Sequence, residues 1–188
     1  MSRLRRTADL PRRPDGHPPP RELLSLLESH VGNARAAHLC AGLLADGAYA
    51  HPDLTIFLGG RAGRSILEDG TSWKPYWARV WGARGLLYVW DDLVVDAVVE
   101  GLRDEAWRVA EGCLRVCALR ELPGGDDAAA LTGHELSRVR AAAVRALGAG
   151  GDVEHVGVLQ ESLGDESEEV RRAAARAQER MRARLDLP

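Results

Sequence analysis

The sequence predicts an all-α protein, a right-handed α-solenoid of stacked helical hairpins. From about residue 72 onward, apolar residues recur at helical spacing, and Asp, Pro and Gly stand at the breaks between these segments. An apolar residue followed by arginine recurs at nearly even spacing, at Ala78-Arg79, Trp107-Arg108, Val139-Arg140 and Val170-Arg171. Such a regular period with two helices in each copy indicates stacked hairpins, because a single hairpin cannot bury its apolar face alone.

The composition indicates one well-buried domain that does not associate with a membrane. The chain has 188 residues, of which 45% are hydrophobic, and a formal net charge of −3. A nucleic-acid-binding domain usually carries a clear basic excess, so we do not expect nucleic acid as a partner. The three cysteines show no disulfide spacing, and no apolar run is long enough to cross a bilayer. We therefore expect a cytoplasmic protein.

The first 20 residues differ from the rest of the chain. They contain five arginines, two aspartates and a proline triplet, and they have too few apolar residues to offset the entropy of ordering. We expect a flexible basic tail over 1–20 and a single α-helical repeat domain over 21–188. The tail can be an electrostatic arm for nucleic acid or an acidic partner, or an unstructured leader. The second interpretation is favoured because disordered termini are common.

Residues 53–72 interrupt the helical pattern, and we expect an irregular loop there. Before it, the sequence predicts a helix that begins near Glu22 and a second over about 34–44. Glycines and arginines alternate within the loop, and the backbone N–H groups of such a loop can hold a phosphate. The candidate residues are Gly60, Arg61, Gly63 and Arg64. The spacing of a P-loop and its lysine are missing, so a plain connecting loop is the favoured alternative.

A tryptophan-rich helix follows, over about 72–89, and two adjacent apolar stripes lie along it. Tyr76, Val80 and Leu87 are expected in the core. The second stripe can also be core, or it can be an exposed ridge that binds a protein or peptide, since one helix seldom buries two full stripes. The candidate binding residues on this ridge are Trp73, Trp77, Trp81, Arg84 and Tyr88.

Three clear repeats are expected over about 92–122, 126–148 and 152–185. Within the first of them, Cys113 and Cys117 lie one helical turn apart on an apolar face. Two thiols can bind a metal ion, but no nearby histidine or third cysteine completes a set of four ligands. We therefore expect two buried thiols, no metal site and no cofactor.

The best-preserved copy runs from Leu159 to Ala177 and reads Leu-x-x-x-Leu-x-Asp followed by Val-Arg-x-Ala-Ala. This pattern resembles the bacterial HEAT-like repeat, including the type named after phycobilisome lyases, and the resemblance covers about 75–185. In that family the repeated Asp and Arg link one repeat to the next. The resemblance therefore implies a structural role for Arg108, Arg140 and Arg171.

The resemblance also implies a non-catalytic interaction module or adaptor that binds a protein or peptide on the solenoid surface. No catalytic residue is predicted. The alternative is a HEAT-like enzyme or nucleic-acid-binding protein, similar to a bilin lyase or to an alkylpurine DNA glycosylase that would use Trp with Asp91 or Asp92. Deoxyhypusine hydroxylases hold iron with several His-Glu pairs, and the single pair His134-Glu135 cannot supply such a site.

Overall fold

The computed structural model describes residues 10–68 and 72–187, and every regular element within these ranges is a helix. The α-helices are α1 Pro20–Val31, α2 Asn33–Asp46, α3 Pro52–Gly59, α4 Arg61–Glu68, α5 Tyr76–Gly85, α6 Val95–Glu100, α7 Trp107–Arg120, α8 Gly125–Ala130, α9 Ser137–Gly150, α10 Val156–Ser162 and α11 Glu168–Leu185. The prediction of an all-α fold is confirmed. In the described part of the chain, no helix combines the length and the apolar character needed to traverse a bilayer.

The described residues form two compact units, one up to Ala97 and one from Val98 onward. The prediction of a single repeat domain over 21–188 stays a prediction, as does the flexibility of the basic tail. Residues 1–9 of that tail lie outside the described residues, and 10–19 precede α1, which begins at Pro20, the last residue of the predicted tail. Proline suits this position because the first turn of a helix needs no backbone N–H donor.

The first unit is built on the contact between α2 and α5. Two glycines of α5 face α2 and let the two helix backbones approach closely. A β-carbon at Gly82 would lie 2.6 Å from the backbone nitrogen of Leu44 and 2.7 Å from the carbonyl oxygen of Cys40, and a β-carbon at Gly85 would overlap the Cys40 sulfur. Glycine at these two positions therefore replaces the large apolar side chains that usually separate packed helices.

The expectation of an irregular loop over 53–72 is wrong for most of that segment, because α3 and α4 occupy it. Pro52 begins α3, and Leu54, Phe57 and Ile66 are buried. The two helices are joined at Gly60, whose φ of +58° is accessible to glycine at little cost. The clustered glycines suggested a loop, whereas in the structure they allow a tight helix–helix junction. Residues 69–71 lie outside the described residues.

The tryptophan-rich helix is shorter than predicted and buries a different face. α5 ends at Gly85, and the chain continues in turns toward Val89. Of the predicted core stripe, Val80 is buried, whereas Tyr76 and Leu87 are only half-buried. The core positions around α5 are instead mostly small or aliphatic residues, namely Ala78, Val80, Ala83, Leu86 and Val89. The close approach to α2 explains this choice, because large aromatic rings do not fit between the two backbones.

In the second unit, α7, α9 and α11 pack against one another in chain order, while α8 packs on α9 and α10 on α11. Alanines make much of the contact between α9 and α11, and a β-carbon at Gly148 would lie 2.6 Å from the Cα of Ala177. The largest side chains buried completely in this unit are Leu114, Leu147, Leu159 and Met181. Small residues at the helix contacts and large ones between the layers give the interior its close packing.

A shared turn precedes each of the three long helices of this unit. Before α7, the carboxylate of Asp104 accepts a hydrogen bond from the N–H of Ala106 at 2.8 Å. Before α11, Asp165 accepts from the N–H of Ser167 at 2.7 Å. Before α9, the acceptor is a ring nitrogen: Nδ1 of His134 accepts from the N–H of Leu136 at 3.0 Å. His134 therefore does in its repeat what aspartate does in the other two.

These turns correct the register of the predicted repeat. Val109, Val139 and Val170 stand at the same distance along the chain from the three turn acceptors, and all three are buried. The alignment of Trp107-Arg108 with Val139-Arg140 is therefore wrong by two positions. The counterpart of Arg140 in the first of these repeats is Ala110. The error arose because an arginine follows an apolar residue near the start of both α7 and α9, and only the arginine of α9 occupies the repeat position.

Candidate functional site

The indole rings of Trp73, Trp77 and Trp81 form one cluster on the first unit. The ring centroids of Trp73 and Trp77 are 5.3 Å apart in an edge-to-face arrangement, and those of Trp73 and Trp81 are 6.4 Å apart. Tyr76 stacks on Trp77 with a centroid distance of 5.7 Å. Trp73 is 38% exposed, whereas Trp77 and Trp81 are half-buried. Such pairings hold the rings in fixed orientations.

Trp81 is held against the end of α3. A β-carbon at Gly59 would overlap the six-membered part of the indole, so the ring lies directly on the glycine backbone. Trp81 and Arg84 also line a cavity of about 190 Å³. Its other walls come from Pro18, Pro20, Leu23, Leu24, Leu58 and Gly85. The cavity is smaller than typical small-molecule sites, and Arg84 is the one charged residue among those that line it, which suits a single inserted side chain.

Tyr88 is placed differently from the tryptophans. It is 39% exposed, and the guanidinium carbon of Arg21 lies 6.0 Å from the centre of its ring. Within 10–68 and 72–187, the Tyr88 ring forms a cation–π contact with this arginine and no ring pair with Trp73, Trp77 or Trp81. The structure thus brings together the three tryptophans and, through the cavity, Arg84, while Tyr88 lies beside α1.

The four candidate phosphate-binding residues lie at the junction of α3 and α4. Arg61 and Arg64 lie on α4, and both are exposed. A β-carbon at Gly63 would overlap the carbonyl oxygen of Thr55, so packing accounts for this glycine. The guanidinium of Arg13 lies over Gly60, and its Nη1 is buried without a hydrogen-bond partner among the described residues. Phosphate binding by this set stays a prediction.

The residues considered for enzymatic roles have structural hydrogen bonds. Asp91 accepts from the N–H of Leu93 at 2.9 Å and caps the 3₁₀ turn Asp92–Val94. Asp92 accepts from the indole N–H of Trp90 at 2.9 Å. Within 10–68 and 72–187, no group of three or more His, Cys, Asp or Glu side chains is arranged to hold a metal ion.

The three thiols are buried in the helical core, as predicted for Cys113 and Cys117. Burial raises the pKa of Cys40 to about 12 and that of Cys117 to about 12. Burial also raises the pKa of Cys113 well above its ordinary value, with a smaller contribution from Cys117. All three are therefore protonated at neutral pH and are poor nucleophiles and poor metal ligands.

The predicted role of Arg140 as a link between repeats is confirmed. Its Nε and Nη2 donate to the two carboxylate oxygens of Asp165 at 2.8 and 2.9 Å, and its Nη1 donates to the carbonyls of His134 and Glu135. Arg171 donates to the carbonyls of Asp165 and Glu166 at 2.7 and 2.9 Å, which ties α11 to the turn before it. Arg140 thus joins α9 to the next repeat.

One charged feature was missed by the sequence analysis. Six arginines of α7, α9 and α11 line a groove on the second unit, and they are Arg115, Arg138, Arg145, Arg172, Arg176 and Arg180. The signal was present as arginines three or four positions from alanines on each of these helices. The small net charge of the whole chain concealed it, because a net charge says nothing about how charges are distributed.

A family model described as HEAT repeats matches residues 126–188. The match covers about a third of the chain, so this segment of the all-helical architecture is similar to HEAT repeats; the phycobilisome-lyase type stays a prediction. The chain is also similar to the crystal structure of an engineered protein from the Northeast Structural Genomics Consortium. The identity is 19%, the alignment covers 87% of this chain and 96% of that one, and the TM-score is 0.49. No curated protein matches the chain significantly.

Proposed function

We propose that the protein is a non-catalytic interaction module whose first unit binds a protein or peptide through the cluster of Trp73, Trp77 and Trp81. The observation that carries the proposal is the contact between these indoles beside a small cavity. HEAT-like repeats, which the second unit contains, commonly serve as interaction scaffolds.

The geometry supports binding of one apolar anchor from the partner. The cavity beside Trp81 has room for one side chain, and Arg84 at its wall can bind a carboxylate or a backbone carbonyl of the same partner. Aromatic residues and arginine dominate the energetics of protein interfaces. Because the rings are already packed against one another, little side-chain entropy is lost when a partner binds. Tyr88 extends this surface toward α1 in our proposal.

A peptide selection with matched variants tests this function. Short peptides would be selected from a random display library on the wild-type protein, and their affinity measured for Trp73→Ala and Arg84→Ala. The control is Leu93→Ala, which truncates another exposed apolar residue of the same unit, 82% exposed. We expect Trp73→Ala to weaken binding at least roughly 30-fold, equivalent to about 2 kcal/mol, and Leu93→Ala to leave it unchanged.

The result is interpretable only if the variants stay folded, so helicity would be measured by circular dichroism for each. Selected peptides that bind Trp73→Ala and Arg84→Ala as tightly as the wild type would show that the aromatic cluster is not a binding surface. Loss of helicity in Trp73→Ala would show that the exposed ring is needed for the fold, and Arg84→Ala would then decide the matter.

A further inference from the structure

We propose that the second unit has a separate binding surface, an arginine-lined groove along α7, α9 and α11 that takes an Asp- and Glu-rich peptide segment of a partner protein. This surface lies on a different unit from the tryptophan cluster. The proposal therefore does not depend on the function proposed above, and each can fail without the other.

The groove consists of two adjoining cavities. One, of about 420 Å³, lies between α7 and α9, and the other, of about 340 Å³, lies between α9 and α11. Arg145 and Glu169 line both cavities and form an ion pair at 2.9 Å, so the two cavities adjoin at this pair and together extend across three helices. Two adjoining cavities across three helices suit an extended peptide better than a compact small molecule.

Helical spacing explains how the groove forms. Arg138, Ala142 and Arg145 follow one another at steps of four and three positions, which places them on one face of α9. On α11, Ala173 and Ala177 alternate with Arg172, Arg176 and Arg180 in a similar arrangement. The buried alanines form the floor and the exposed arginines form the walls, so guanidinium groups surround a depression that a partner's side chains can enter.

The charge of the lining is positive, opposite in sign to that of the whole chain. Six arginines face two glutamates, Glu111 and Glu169. Four of the arginines have carboxylate partners: Arg138 with Glu111, Arg145 with Glu169, Arg180 with Glu121, and Arg172 with Glu168 at the longer distance of 3.6 Å. The last three pairs are exposed on both sides and therefore weak, so an incoming carboxylate can compete for Arg145, Arg172 and Arg180.

Arg115 and Arg176 are the groove arginines most available to a partner's carboxylate. Both are exposed, and neither forms a hydrogen bond or an ion pair with any residue in the described ranges. Their guanidinium groups are free to bind a partner's carboxylate with two parallel hydrogen bonds, the geometry in which arginine binds carboxylates most strongly. One of them stands on α7 and the other on α11, at either side of the groove.

A peptide fits the groove better than a nucleic acid does. Glu111 and Glu169 stand among the arginines, where they would repel a continuous phosphate backbone. A peptide can place its carboxylates against the arginines and neutral residues against the glutamates.

The guanidinium of Arg138 lies 5.1 Å from the ring centre of Trp107, a contact that holds it at the edge of the groove.

Fluorescence anisotropy with a labelled probe tests the proposal. The probe is a short peptide with alternating Glu and Gly, compared with its Gln counterpart and with single-stranded DNA of matching length. We expect the Glu peptide to bind the full chain, with an affinity that falls as salt rises, and the Gln peptide not to bind. The double variant Arg115→Glu with Arg176→Glu should weaken binding at least tenfold.

The matched control is Arg12→Glu with Arg35→Glu, which changes the net charge equally at two exposed positions of the first unit. We expect less than a twofold effect. The neutral variant Arg115→Gln with Arg176→Gln replaces the reversed pair if that one loses helicity. Absence of Glu-peptide binding, or equal weakening by both charge reversals, would overturn the proposal. DNA binding that is tighter than peptide binding and lost in the groove variant would identify a nucleic-acid surface instead.

Discussion

Replacing Arg140 with alanine should lower the free energy of unfolding of the second unit by about 3–5 kcal/mol. The arginine is 8% exposed, and its side chain donates five hydrogen bonds, three of them to carboxylates. Removing it leaves Asp165, whose side chain is only 13% exposed, without its main counter-ion and leaves two carbonyls without donors. The cost of an unpaired buried charge therefore exceeds that of the lost contacts alone.

Two other arginines serve as graded controls. Arg171→Ala removes hydrogen bonds to two carbonyls from a half-buried side chain, so we expect a loss of about 1–2 kcal/mol. Arg172→Ala breaks only an exposed pair with Glu168 within one helix, so we expect less than about 0.5 kcal/mol. Because a chain with two units need not unfold in one step, hydrogen exchange of the α9 amides is the appropriate measurement.

The same pair has a pH signature. Hydrogen bonds from Arg140 hold the pKa of Asp165 below its ordinary value, and the N–H of Ser167 adds to this effect. The contribution of this carboxylate to stability is therefore present above about pH 4, the unfolded pKa, and is lost as the pH falls through the lower folded value. In Arg140→Ala, the pKa of Asp165 should rise, as measured by NMR titration. An unchanged pKa, or an Arg140→Ala cost no larger than that of Arg171→Ala, would refute this argument.

Three further predictions concern glycine, histidine and cysteine residues. Gly82→Ala should destabilise the first unit by about 1–3 kcal/mol in thermal unfolding, because the new methyl group meets the backbone of Leu44. Gly157→Ala should instead stabilise α10 by about 0.5 kcal/mol, because a methyl group there meets nothing within 4 Å. His134→Ala should cost about 1 kcal/mol and His134→Asp much less, because aspartate also accepts the hydrogen bond from Leu136. The three thiols should react with a disulfide reagent at neutral pH only on unfolding; rapid reaction of the native protein would contradict the burial described above.

The second unit was the more predictable part of the molecule. Its helices have clear breaks, and the resemblance to the HEAT-like repeat implied the linking role of Arg140, which pairs with Asp165 in the structure. Each of these signals acts over a short stretch of chain or recurs at a regular interval, so a single sequence is enough to find it. The register of the copy at Trp107 failed because two candidate positions compete and only packing decides between them.

The first unit depends on contacts that a pattern along one helix does not contain. Whether α5 buries tryptophans or glycines depends on how closely α2 approaches, which is a property of both helices. The glycines at the junction of α3 and α4 predict a loop when they are considered alone. They allow a helix–helix contact only because Thr55 lies opposite Gly63. The residues of the aromatic surface could be identified in the sequence, but the cavity beside Trp81 could not be predicted from it.

The turn before each long helix of the second unit shows how repeats of this kind can escape detection. The turn requires a hydrogen-bond acceptor on the side chain three positions before the helix begins. A carboxylate oxygen of Asp104 and the ring nitrogen of His134 both meet this requirement. A search pattern written in residue letters counts the histidine as a mismatch. A pattern written in acceptor atoms would count it as a match, and degenerate repeats in other sequences would become visible by the same rule.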